Sequence, residues 1–190
     1  MSTWAIIDGN CLDVLRDMPD DSVDCCITGP PDFRQRDYES DGQIGQEVNP
    51  DEYLRALVDV FSEVWRVLRS DGTLWVNISD GYNTPYLTDD GSRLPDPSLR
   101  KKDLLCIPWR FAMDLQRDGW CLRQSIVWHT PNPVPESVGD RCTKSYEYIF
   151  LFSKGESYYF DGESIMEDAK WERWGDQTEN KEHPGAARHL

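Results

Sequence analysis

Apolar positions recur at three- and four-residue spacing most clearly in one stretch of this chain. Tyr53, Leu57, Val60, Phe61, Val64, Trp65 and Leu68 mark one face of a helix that Pro50 opens. Asp51 and Glu52 suit its positive end, and Arg66 and Arg69 suit its carbonyl end. Asp71-Gly72 is expected to stop this helix, and Thr73-Leu74-Trp75-Val76-Asn77-Ile78 to form the next strand. A second helix is predicted from Pro108, with Phe111, Ala112 and Leu115 inward and Asp118-Gly119 closing it. Leu12, Leu15 and Met18 mark a brief amphipathic helix between the turn Asp8-Gly9-Asn10 and Pro19. Shorter apolar runs predict strands at Ala5-Ile6-Ile7, Val23–Ile27 (read as buried), Ile126-Val127-Trp128 and Tyr148–Phe152. Helices set between short apolar strands imply an α/β layer.

The polar stretches divide the chain. Gln35 to Asn49 is longer than a usual α/β connection, so it reads as disordered or as a binding loop. Tyr82 through Lys102, rich in Gly, Pro, Ser and Asp, reads as a mobile insertion at 82-102. Three prolines in Pro131-Asn132-Pro133-Val134-Pro135 exclude a helix there. From Asp168 the chain is charged and loses apolar periodicity, which gives a domain over 1-167 and a polar tail, or the start of a further region, over 168-190.

A length of 190 residues suits one domain with a proper core. No apolar run approaches the ~18 residues of a membrane span, and Met1-Ser2-Thr3-Trp4 lacks the basic start and apolar stretch of a signal peptide. The expected location is cytoplasmic, with no membrane partner. Six scattered cysteines include no Cys-x-x-Cys pair, which favours reduced thiols over a metal site. The net charge of −15 changes the picture most, because attraction to nucleic acid needs positive potential facing the phosphates. A DNA-binding reading therefore requires a basic surface that is local or supplied by a partner, or an organism whose proteins are acidic throughout.

The candidate chemistry lies in Thr28-Gly29-Pro30-Pro31-Asp32-Phe33, directly after an apolar run. Two successive prolines fix two φ angles, remove two backbone donors and bias the chain toward an extended loop with outward carbonyls. This segment resembles the catalytic loop of the DNA amino-methyltransferases, the N4-cytosine and N6-adenine enzymes. The resemblance continues in order through Ile7-Asp8-Gly9-Asn10-Cys11, Arg36-Asp37-Tyr38, Gly42-Gln43-Ile44-Gly45, Trp65-Arg66-Val67-Leu68, Asp71-Gly72-Thr73-Leu74-Trp75 and Asn77. Pro108-Trp109-Arg110, Pro131-Asn132-Pro133, Thr143-Lys144, Glu147-Tyr148 and Tyr158-Tyr159-Phe160-Asp161 extend it.

That resemblance implies a partial Rossmann-like methyltransferase sheet with helices on both faces. It implies S-adenosylmethionine-dependent methylation of an exocyclic amine in double-stranded DNA, N4-cytosine slightly ahead of N6-adenine. The implied catalytic set is Gly29, Pro30, Pro31, Asp32 and Phe33, with the Pro30 carbonyl accepting from the amine. Asp8, Thr28 and Gly29 are the implied cofactor contacts, and Arg34, Arg36, Tyr38, Asn77 and Lys144 the implied DNA contacts. Two departures stand out. Family loops place Ser, Asn or Asp before Pro-Pro and an aromatic after it; here Gly29 has no side-chain acceptor and Asp32 cannot stack. The glycine-rich cofactor segment is also missing, since no Gly-x-Gly pair occurs. Two expectations follow: a second polypeptide or a C-terminal half carries those glycines, or the chain is a catalytically inactive DNA-recognition or scaffold subunit.

Overall fold

Capping and packing explain where each element begins. In the computed structural model, which describes residues 4–88 and 91–167, the first helix, α1 (Cys11–Asp17), starts where the Asn10 side chain accepts from the Leu12 N–H at 2.9 Å. Strand β1 (Val23–Thr28) follows, then α2 (Pro50–Val67), whose Asn49 cap accepts from the Glu52 N–H at 3.0 Å. Next come β2 (Leu68–Ile78), a small antiparallel hairpin of β3 (Tyr86–Thr88) and β4 (Gly91–Arg93), α3 (Ile107–Arg117), β5 (Cys121–His129) and β6 (Tyr146–Ser153). The contacts divide the chain after Tyr159; the short unit beyond it carries a 3-10 turn at Glu163–Ile165. The proposed tail at 168-190 lies outside the described residues.

The main sheet has the order β1-β2-β6-β5. β1 runs parallel to β2, with Ile27 beside Trp75, and β6 is antiparallel to both β2 and β5. On one face, Leu74, Val76 and Ile78 of β2 and Phe150 and Phe152 of β6 are no more than 1% exposed. α2 and α3 cover this face: Phe61 meets Phe111 edge-on at 5.2 Å, and Phe111 meets Phe152 at 6.2 Å. The face that carries Ile27 has no helix over it among the described residues, and Ile27 is 79% exposed. The expected mixed α/β sheet with flanking helices is present, while helices on both faces are not seen among the described residues.

Several expectations need correction. Val23–Ile27 is an edge strand, half-exposed rather than buried, because β2 pairs with one side of it only. Residues 5–7 form no strand; Ile6 and Ile7 are exposed and have no sheet partner among the described residues. α2 ends at Val67, before Gly72, and β2 begins at once. Gly72 is required for close approach instead, since a Cβ there would lie 2.9 Å from the Asp24 carbonyl and collide with Leu68. Arg66 does more than complement a helix dipole: its guanidinium donates to the Leu15 and Met18 carbonyls at 2.7 and 2.9 Å, tying down the end of α1.

Within the 82-102 insertion the described residues gather on a buried hub. Asn83 is fully buried; its amide donates to the carbonyls of Asp96, Leu99 and Arg100 and its oxygen accepts from the Asp96 N–H. One asparagine thereby replaces the hydrogen bonds that regular structure would have supplied.

Candidate active site

The Pro-Pro loop leaves the carboxyl end of β1, where α/β sheets place their sites. Its far side is pinned. The Tyr53 hydroxyl of α2 donates to the Pro31 carbonyl at 2.8 Å, and burial pushes the Tyr53 pKa well above the ordinary phenol value, so the hydroxyl keeps its proton. Gly45 backs the loop at a φ of +106°, where a Cβ would sit 3.1 Å from the Asp32 carbonyl. The Gly45 carbonyl in turn accepts from the Arg34 N–H at 2.7 Å. Among the described residues the Pro30 carbonyl accepts no hydrogen bond.

Asp32 turns inward. Its Oδ1 accepts from the Ser79 N–H at 3.1 Å, just past the end of β2. Burial raises its pKa, the Ser79 N–H bond and the Lys144 charge oppose that rise, and Glu147 adds to it. Lys144 donates from Nζ to Ser79 Oγ at 2.6 Å and to the Asp80 carbonyl at 2.7 Å. Asp80 closes the network, accepting from the Gly81 and Ile107 N–H groups at 2.9 and 3.0 Å. It thus caps α3, whose own N-cap residue, Cys106, forms no side-chain cap. Desolvation raises the Asp80 pKa, against these hydrogen bonds.

Of the residues expected at the site, Thr28, Gly29, Pro30, Pro31, Asp32 and Asn77 are brought together at the adjoining ends of β1 and β2. Phe33 is not in the open. It is 7% exposed, in the core against the Tyr53 ring at 5.4 Å, because the one-residue offset turns it to the other side of the chain; it cannot stack on a base there. Arg34 is half-buried and committed as well: it donates through Nε and an Nη to the Glu47 carbonyl at 3.0 and 2.7 Å and lies over the Tyr86 ring at 3.7 Å. It clasps the 35–49 loop and the 82-102 insertion instead of reaching outward. Lys144 is likewise turned into the site. Arg36 and Tyr38 are exposed on the loop, and Asp8 is exposed just ahead of α1.

A groove of about 480 Å³ runs along β1, walled by Ile7, Gly9, Cys26, Ile27, Gly29 and Pro30 and floored by Leu57 and Phe61 of α2. Burial pushes the Cys26 thiol up to about 11, with the neighbouring Cys25 adding to the shift, so this wall stays neutral. The groove offers apolar area and the backbone of residues 28–30, which fits one side of a nucleoside-sized ligand such as S-adenosylmethionine; no Gly-x-Gly turn is present to shape the other side. No group of three or more His, Cys, Asp or Glu side chains among the described residues is placed to hold a metal ion. No described helix is long and apolar enough to cross a membrane.

Tyr53, as the clamp on Pro31, was visible in the sequence only as one more inward position of α2. Gly45 stood out only as the end of the Gly42-Gln43-Ile44-Gly45 segment, and its role as the support under the loop follows from a contact no local pattern encodes.

The family model described as DNA methylase, N6_N4_Mtase, matches residues 23–185. This chain belongs to that N6/N4 DNA methylase family. It is 46% identical over 178 residues to the type II methyltransferase M.Cfr9I of Citrobacter freundii, covering 86% of this chain and 58% of that protein. It is 47% identical over 176 residues to the type II methyltransferase M.SmaI of Serratia marcescens, covering 86% and 60%. The chain thus spans about three-fifths of the length of these curated relatives. Among solved structures, the PvuII DNA methyltransferase (cytosine-N4-specific) shares the fold at a TM-score of 0.59 and 18% identity, over 80% of this chain and 50% of that one. A putative DNA modification methylase of Thermus thermophilus, complexed with S-adenosyl-L-methionine, does so at 0.56 and 20%, over 82% and 55%.

Proposed function

We propose that this chain carries the catalytic loop of an S-adenosylmethionine-dependent DNA amino-methyltransferase, acting on N4 of cytosine in preference to N6 of adenine. The observation that carries this reading is the Pro30 carbonyl, without a hydrogen-bond partner among the described residues, on a loop whose next two residues are both held. An exocyclic amine is a poor nucleophile while its lone pair is spread into the ring. Accepting its N–H bonds turns the nitrogen toward tetrahedral geometry and orients the lone pair for attack. S-adenosylmethionine, when bound, supplies the methyl: the N–C bond forms as the S–C bond breaks, and the electron pair passes to sulfur. The proton then leaves the nitrogen to water, so no strong base is required of the protein. The preference for cytosine rests on Thr28 before the loop, which resembles Thr-Ser-Pro-Pro-Tyr-like loops.

The remaining length of the relatives supports a second element of the proposal. β1 presents an open edge, and Ile27 is 79% exposed beside a groove with one apolar wall. Natural sheets seldom leave such an edge unpaired. A further segment, as a separate polypeptide or a continuation of this one, completes the sheet and brings the cofactor glycines and positive surface for DNA.

The test is to combine the chain with a segment equivalent to the rest of the relatives, methyl-labelled S-adenosylmethionine and unmethylated DNA. Label in DNA, recovered after hydrolysis as N4-methylcytosine, is the expected result; N6-methyladenine would reverse the base preference. No label, under conditions where the double variant Gly29→Ser, Asp32→Tyr does methylate, would overturn the reading. That outcome would favour a DNA-recognition or scaffold subunit, the reading supported by Asp32 standing where an aromatic would stack and by Phe33 being buried.

A further inference from the structure

Gly29 leaves the target amine one acceptor short, yet the strand beside it carries a suitable group. Asn77 stands on β2, one residue beyond Val76, the register partner of Thr28. A Cβ built on Gly29 would lie 3.6 Å from the Asn77 carbonyl and 3.8 Å from Asn77 Oδ1. An acceptor carried on that Cβ would therefore enter space that Oδ1 already borders. The amide is oriented as well. Its Nδ2 faces the Tyr148 carbonyl of β6 at 3.4 Å, and a carbonyl can only accept, so Oδ1 is turned away from β6 toward the loop. Asn77 is half-exposed, and among the described residues its Oδ1 accepts no hydrogen bond.

We propose that Asn77 is a catalytic residue, its Oδ1 supplying the side-chain acceptor that position 29 lacks, so that the amine is held between Asn77 and the Pro30 carbonyl. The assignment rests on the methyl-transfer reading above and names the second contact of that same site. Each oxygen takes one N–H of the amine, and the lone pair is left pointing out of the base plane. Asn77 is neutral and takes no proton. When the N–C bond has formed and the S–C bond has broken, the surplus proton passes to water, as before. The glycine is then an accommodation: it leaves room for an acceptor that arrives from the next strand.

The experiment has two arms, chosen so that failure of the reaction and failure of the assignment can be told apart. In the first, the isotope-labelled full chain is titrated with cytosine and adenine and with their amine-free counterparts, 2-pyrimidinone and purine. Shifts of the Asn77 side-chain amide and the Gly29 N–H with the amine-bearing bases only are the expected result. Equal responses to both kinds of base, or no response in either signal, would overturn the assignment. In the second arm, methylation by the completed enzyme is compared across Asn77→Leu, Asn77→Asp and the double variant Gly29→Ser, Asn77→Leu. Loss of one preorganised hydrogen-bonding group should lower kcat about 100-fold in Asn77→Leu. Asn77→Asp retains an acceptor and should keep more activity than Asn77→Leu. The serine hydroxyl should recover at least about tenfold of the loss, because it re-creates an acceptor in the same space. Full activity in Asn77→Leu, or no recovery in a folded double variant, would refute the role. An unlabelled product with the wild-type enzyme beside amine-selective shifts in the first arm would refute the reaction and leave the contact standing.

Discussion

β1 and β2 are neighbours in one sheet with opposite surroundings. β2 has a strand on each side and two helices over one face, and Leu74 and Val76 are fully buried. Among the described residues β1 has one partner, Ile27 lies open, and the strand ends in a loop that forgoes backbone donors. The inner strand is determined by packing, and the edge strand, on the proposed reading, by what binds to it. Packing and the proposed chemistry are thus one strand spacing apart, joined by Tyr53, whose buried ring carries a hydroxyl to the loop, and by Asn77 of β2, whose amide borders Gly29.

A matched pair of truncations puts the largest strain on that comparison. Phe150 is fully buried on β6, with the Trp109 ring at 5.4 Å and the Tyr148 ring stacked at 5.8 Å. Phe150→Ala should cost about 3–5 kcal/mol through lost transfer energy and the cavity left behind. Ile27→Ala removes a side chain already in water and should change stability by less than about 0.5 kcal/mol. Urea melts of the two variants would measure both. A cost for Ile27→Ala approaching that of Phe150→Ala would mean that β1 is covered within this chain and that the contrast is false.

The packed side was legible from the sequence and the open side only in outline. The spacing from Tyr53 to Val64 encodes α2, because a helix must repeat its apolar face every turn against a core. The order of the helices and strands gave the α/β layer. Strand ends were less legible: β5 runs from Cys121, while only Ile126–Trp128 stood out, because its exposed positions carry no alternation. The loop residues could be read, and their directions could not. Arg34 looked like a free cation until its partners, Glu47 and Tyr86, were in place, and both lie 13 or more residues away. Phe33 had a stacking chemistry by type and a core position by geometry.

A smaller effect sharpens the role of the open edge. Ile27→Lys should leave the chain's own melt nearly unchanged, since the side chain is exposed, and should weaken association with the completing segment. A buried lysine facing an apolar surface must either remain charged without water or lose its proton, and both are costly. Light scattering of the mixture, wild type against variant, reads the difference as loss of the heavier species. Undiminished association would place the contact on another face and remove β1 from the interface.

The smallest expected effect tests the boundary between the two regions, at Asp32. Its carboxylate is half-buried, and burial raises its pKa above the ordinary value, with the Ser79 N–H opposing. A raised folded-state pKa means the native protein binds the proton more tightly than the unfolded chain. The contribution of this group is therefore fully present below the unfolded pKa and is lost as pH rises through the folded one. Asp32→Asn removes that dependence while keeping an oxygen that can accept from Ser79. The variant should be slightly more stable than wild type at neutral pH, and the gap should close as pH falls toward the unfolded carboxylate value. Melts of both proteins across that range supply the check, with Asp80 common to both and so cancelling. A gap that widens toward acid would mean Asp32 is stabilised as the anion. The Lys144 charge, and not burial, would then govern the edge of the site.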